Sequence, residues 1–155
     1  MPSLCYPFSR ASYFFLLAIA MALLGCSDES ASPAPGPDPV VYRSIQAESG
    51  TPCEGLPGCE GWVTRGDPKT GAAETLFRFK AGTVFAKHWH TSPEHVVGIS
   101  GTMIWNVEGT GPHDVGAGDY LYYPSRAIHW GQCAPAADCV FFVYDDQAYD
   151  IHAAE

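Results

Sequence analysis

The stretch GTVFAKHWHTSPEHVVGISG, Gly82 to Gly101, decides how the chain is read. Within it His88 and His90 stand two apart, Glu94 follows four later, and glycines close both ends. Side chains two apart on a β-strand point to the same face, so both imidazoles can reach one metal ion. Thr91, Ser92 and Pro93 read as a turn, after which a new strand brings Glu94 back beside them. A second stretch, GDYLYYPSRAIHW from Gly118 to Trp130, offers a further ligand. Its β-rich run from Tyr120 to Tyr123 ends at Pro124, and His129 follows a short turn.

The two stretches resemble the paired motifs of the cupin superfamily. The first motif of that family runs glycine, five residues, His-x-His, three or four residues, Glu, six residues, glycine. Gly82, His88, His90, Glu94 and Gly101 fit it without a gap. Gly118, Pro124 and His129 fit the second motif, but Arg126 stands where the pattern has glycine and Cys133 where it has asparagine. Those departures leave the ligands in place and bear on the local turn. The GDPKTG run from Gly66 to Gly71, the His-Trp-His triplet and the Glu-His-Val-Val run resemble small secreted bacterial cupins described as ChrR-like. The resemblance covers roughly residues 60 to 147.

Away from the motifs the pattern is that of short strands. Val40 to Ile45 permits a first strand, Gln46 to Glu60 reads as a loop, and Trp62 to Arg65 permits a short second strand. Gly66 to Gly71 is a turn, and Thr75 to Lys80 leads into the first motif. Val96 to Val107 holds two β-rich runs with Gly101 marking a bend, and Glu108 to His113 is a hairpin tip. Val140 to Tyr144 reads as a buried final strand, followed by a tail from Asp145 that carries four acids and is expected to form a surface flap. No window after Cys26 shows a sustained helical period, so the domain is expected to be all-β, an antiparallel β-sandwich or small barrel. The resemblance sharpens this to a cupin barrel of the jelly-roll type.

The ends set the compartment. Met1 to Arg10 is weakly basic, Ala11 to Leu24 is apolar apart from Ser12, and Gly25-Cys26 follows. This has the layout of a signal peptide over residues 1–25, and its end resembles a bacterial lipobox, which implies lipid on Cys26. Ser27 rather than aspartate after Cys26 favours the outer membrane in a Gram-negative host. Residues 26–39, rich in Ser, Ala, Pro and acids, read as a flexible tether, and residues 40–155 as the domain. Loss of residues 1–25 removes Arg10 and no acid, so the formal charge goes from -9 to -10. A chain this acidic does not bind nucleic acid through phosphates and is repelled by anionic headgroups, so membrane association rests on acyl chains.

Cys53, Cys59, Cys133 and Cys139 remain in the domain, an even count that in an exported protein implies disulfides with three connectivities. The local pairs, Cys53 with Cys59 and Cys133 with Cys139, are favoured because each staples one turn-rich loop. A four-thiolate zinc site is the rival, weakened by the lack of CxxC spacing.

His88, His90, Glu94 and His129 thus form the candidate metal set. Imidazole with carboxylate suits iron, manganese, zinc, nickel or copper, so the ion is left open. His95 points to the other side of its strand, and His113 and His152 read as solvated. The aromatic side chains are read as core, Trp89 lies by parity away from the ligand face, and Arg126 is read as a solvated loop arginine. The resemblance implies a small-molecule enzyme of dioxygenase or isomerase type, with Glu94 as ligand or general base. A non-catalytic module holding a metal or small ligand is the alternative, and the free edges of a small sandwich make a homodimer plausible.

Overall fold

The structure, a computed structural model, describes residues 40–155. The signal segment 1–25, Cys26 and the tether 26–39 lie outside the described residues. Among the described residues no helix forms. The strands are β1 (Thr51–Pro52), β2 (Cys59–Gly66), β3 (Ala73–Phe79), β4 (Val84–Trp89), β5 (Glu94–Ser100), β6 (Met103–Val107), β7 (Gly111–Val115), β8 (Tyr120–Tyr123), β9 (His129–Cys133), β10 (Cys139–Asp145) and β11 (His152–Ala153). They build two antiparallel sheets in the orders β1-β2-β3-β10-β5-β8 and β11-β4-β9-β6-β7.

Period-two burial explains which faces meet. In β5 Glu94, Val96 and Gly98 are buried, while His95, Val97 and Ile99 look outward. In β10 Phe141, Val143 and Asp145 turn inward. Between the sheets lies an aromatic core, with Phe79 and Phe141 at 5.4 Å, Phe85 and Trp105 at 5.4 Å, and Trp105 and Phe141 at 5.3 Å between ring centroids. Each buried ring contributes about 1.5–3 kcal/mol, so this cluster dominates the cohesion of the two sheets. Toward one end the aromatic layer gives way to histidines and acids.

Three local features differ from the sequence expectation. Val40 to Ile45 forms no strand; the segment runs into a turn in which Ala47 and Glu48 donate to the Ser44 carbonyl. Pairing begins only at β1, where Thr51 meets Gly61 and Pro52 meets Glu60. The hairpin tip is shorter than residues 108–113, since β7 already begins at Gly111. The tail is no surface flap: β11 pairs with β4, His152 opposite Trp89 and Ala153 opposite His88. Its backbone finds an unpaired strand edge, and Tyr149 and Asp150 fold back against the first motif.

The cysteines join as Cys53–Cys59 and Cys133–Cys139. The first bond closes the loop between β1 and β2, the second that between β9 and β10. Arg126 keeps the turn of the second motif by adopting a left-handed conformation, φ 65°. Its N–H donates to the His90 carbonyl at 2.8 Å, and its guanidinium lies 5.2 Å over the Trp89 ring.

Gly98 is where the strand packs too closely for any side chain. A Cβ there would stand 1.8 Å from the Gly116 carbonyl oxygen, which is main chain and cannot swing aside. Gly71 has nothing within 4 Å of the same position. Gly98→Ala is therefore expected to destabilise the protein by more than about 3 kcal/mol and Gly71→Ala by less than about 1 kcal/mol, read as urea midpoints. Equal midpoints for the two variants would contradict the close approach.

Candidate metal centre

Sequence fixes the parity of the site and a bulge fixes its aim. Phe85 and His88 are both buried although three apart, which a regular strand does not allow. The β4–β9 pairing accordingly slips between Phe85 and His88, and the irregularity turns His88 inward with His90 two residues on. His129 opens β9 directly opposite His88. The three rings lie 4.2 Å (His88–His129), 4.9 Å (His88–His90) and 5.1 Å (His90–His129) apart between centroids. One ring nitrogen of each lies within 4.8 Å of the others.

Each imidazole is oriented by its second nitrogen. His88 Nδ1 meets the Ala86 carbonyl at 2.8 Å, His129 Nδ1 the Ala127 carbonyl at 2.9 Å, and His90 Nδ1 the Asp150 carbonyl. A carbonyl only accepts, so Nδ1 carries the proton and Nε2 keeps its lone pair for the interior. Burial holds the rings neutral. It lowers His88 to about 4 and His129 to about 3, in each case with a neighbouring imidazole adding to the effect, and lowers His90 despite the proximity of Asp150.

Opposite the imidazoles stand two acids. Glu94 on β5 faces Asp145 on β10, and the two share a side-chain hydrogen bond. Tyr123 on β8, paired with Glu94 in register, donates its hydroxyl to Glu94 Oε2. That oxygen is 3.7 Å from His90 Nε2. Burial raises Glu94 to about 7, while burial and the charge of Glu94 raise Asp145 to about 8. Two ionised carboxylates taken out of water cost several kcal/mol each, so near neutral pH the pair holds a proton between them.

Of the residues expected from sequence, the structure gathers His88, His90 and His129 and sets Glu94 beside them, engaged with Tyr123 and Asp145. His95 lies on the outer face, its Nδ1 2.8 Å from the Tyr120 hydroxyl. Exposed His113 meets the Thr110 hydroxyl, and His152 stacks on Trp89 at 4.0 Å. Tyr123, Asp145, Tyr149 and Asp150 were not anticipated. Parity was a usable signal for one of them: Asp145 follows buried Phe141 and Val143 at period two, and an acid at an inward position asks for a partner. Tyr149 and Asp150 sit in a tail without periodicity, and nothing in the sequence pointed to them.

The donor chemistry fits a divalent first-row ion. Three neutral imidazoles present lone pairs to one region, each with a carbonyl behind it, and a carboxylate oxygen stands within the ~3–4 Å that separates neighbouring ligands of one ion. The space beside them is about 30 Å³, walled by Leu56, Phe85, Trp105, Phe141 and Tyr149 besides the polar groups. That is room for an ion and about one water.

The match to known proteins agrees with the geometry. Residues 47–148 match the family described as ChrR Cupin-like domain. The chain belongs to that family of cupins. A DNA damage-repair/toleration protein of Arabidopsis thaliana, DRT102, is 32% identical over 106 residues. That alignment takes in 68% of this chain and 32% of the plant protein, so the chain spans about a third of that relative's length. Among solved structures, an RmlC-like cupin from Shewanella frigidimarina superposes with a TM-score of 0.58 at 18% identity, covering 72% of this chain and 93% of the other. The polyketide cyclase RemF from Streptomyces resistomycificus gives 0.58 at 18% identity, covering 74% and 80%. These two likenesses show the fold.

In metal-free protein His88 and His129 are expected to stay neutral, with the proton on Nδ1, down to about pH 5. Nitrogen-15 NMR of the ring nitrogens reads this directly. Protonation of either ring near the ordinary value of 6.5 would show that burial does not govern them.

Proposed function

We propose that the protein is an exported metal-dependent enzyme acting on a small oxygen-bearing molecule, with His88, His90, His129 and Glu94 as ligands of one divalent first-row ion. The observation that carries this reading is the convergence of three Nε2 lone pairs, each imidazole held by a carbonyl at Nδ1. A bound ion supplies Lewis acidity toward a substrate oxygen, which suits an isomerase- or dioxygenase-type reaction. If Glu94 swings free of the ion, it takes or returns a proton at its carboxylate instead of acting as a ligand. Tyr123 holds Glu94 Oε2 in place, and Asp145 shares a proton with Glu94. Aromatic side chains make up much of the wall of this space. A likeness in fold to a polyketide cyclase is consistent with small-molecule chemistry here.

One observation favours a second reading, a module that holds a metal without turning anything over. The space at the histidines, about 30 Å³, is too small to contain a whole substrate beside an ion. The enzyme reading therefore requires a connection between this space and a larger one.

Protein purified without an affinity tag is expected to carry near-stoichiometric metal by elemental analysis, and His129→Ala to lose it. Because a carboxyl must shed its proton to ligate, affinity should fall about tenfold per unit as pH drops from 7 toward 5 in the wild type. Glu94→Gln should abolish that slope and bind more weakly at pH 7. A flat wild-type profile would remove Glu94 from the ligand set, and metal retained by His129→Ala would remove the centre.

For location, the sequence supports lipid on Cys26, with residues 26–39 spacing the domain from a membrane. Cys26→Ala is expected to move the protein from the membrane to the soluble fraction of an envelope preparation. Retention on the membrane would exclude the lipid as its anchor.

A further inference from the structure

The deeper question for the enzyme reading is how a molecule reaches the histidines. A vestibule of about 250 Å³ opens beside β4, on the outer side of the bulge that aims His88. Its walls are Gly55 and Leu56 from the loop closed by Cys53–Cys59, Ala86 and Lys87 from the bulge, and Ile151 and Ala153 from the tail. Leu56 and His88 line both this vestibule and the space of about 30 Å³ at the metal centre. The two cavities are therefore neighbours that meet at Leu56 and His88.

The larger cavity beside Gly66, about 340 Å³, shares no lining residue with the centre. Gly55, Ala86 and Ala153 at the vestibule are exposed, so it communicates with solvent. Leu56 is half-buried and packs against the core from a loop, whose connection can shift without breaking a sheet. Ile151 closes the far side: its Cδ1 lies 3.7 Å from where a Cβ on Gly55 would stand.

We propose that this vestibule is the substrate port and subsite, with Leu56 as its inner gate, and that it takes an oxygen-chelating molecule whose body is one ring or a short aliphatic chain. The inference rests on the metal reading above. Size sets the class: a cavity of about 150 Å³ accommodates benzene, so 250 Å³ holds a single substituted ring. Lining chemistry sets the rest. The walls are aliphatic, no carboxylate lines them, and the one charged residue, Lys87, turns its ammonium to the Glu155 carbonyl at 3.2 Å and over the Trp130 ring. Such a subsite holds an apolar body and leaves recognition of the chelating oxygens to the metal.

The test uses the whole chain loaded with cobalt, whose visible spectrum reports a ligand entering its coordination shell. Two probes differ in body: benzohydroxamate carries a ring, and azide does not. Leu56→Trp and Ile151→Trp, which fill the vestibule from opposite sides, are expected to weaken benzohydroxamate by roughly tenfold or more. Azide should change by less than about twofold in both. Leu56→Ala should speed benzohydroxamate association in stopped flow. Cobalt content equal in all variants, with benzohydroxamate indifferent to both tryptophans, overturns the port and leaves the metal centre standing. Wild-type protein that takes up no cobalt overturns the metal reading and the port with it.

Discussion

Each of the three inward histidines gives its Nδ1 proton to a main-chain carbonyl, and the site follows from that. The carbonyls have different origins: Ala86 in the bulge of β4, Ala127 in the turn before β9, and Asp150 in the tail. All three lie where regular strand pairing is interrupted, because a carbonyl committed to a ladder has its acceptor direction taken. Irregular backbone is thus the means by which a regular sandwich points three Nε2 atoms at one region. A neutral hydrogen bond of this kind is worth only about 1 kcal/mol, so its weight lies in orientation more than in stability.

Burial then decides the charge states. Imidazolium is expensive among Phe85, Trp105 and Tyr123, so the histidines are neutral. Carboxylates are expensive for the same reason, and Glu94 and Asp145 resolve it by sharing a hydrogen bond and a proton. The two sheets divide the labour: β4 and β9, with the residues just after β4, supply the nitrogen donors, while β5, β8 and β10 supply the acids and the tyrosine that steadies them. The site exists only when both sheets are packed, which ties its assembly to the aromatic core beneath it.

Much of this was legible in the sequence. Period two put His88 and His90 on one face, separated Glu94 from His95, and kept Trp89 off the ligand side, since parity is a property of the strand itself. The second stretch offered His129 after the run ending at Pro124, and the family resemblance joined it to the first motif across the intervening chain. Where reading failed, the missing information was tertiary. The run Val40 to Ile45 has strand-forming composition but no partner edge, and composition says nothing about partners. The tail, acidic and without period, gave no sign that β4 had an edge free to receive it or that the Asp150 carbonyl would meet His90.

The two departures from the family's second motif are each accommodated locally in this chain. Left-handed backbone at a residue with a Cβ costs about 1–2 kcal/mol, and Arg126 accepts it. Its guanidinium over Trp89 returns roughly 0.5–1 kcal/mol, and its N–H satisfies the His90 carbonyl. The glycine of the pattern is therefore a conformational requirement that another residue meets when a neighbouring ring rewards it. Cys133, where the family's pattern has asparagine, forms a disulfide with Cys139 that closes the loop between β9 and β10. Both substitutions concern how a turn is held, and each has a local substitute. His129 has none: it is 1% exposed, opposite His88, and fixed through Nδ1. In this chain the backbone geometry of the motif is reached by another route, whereas the lone pair of His129 must point at one place.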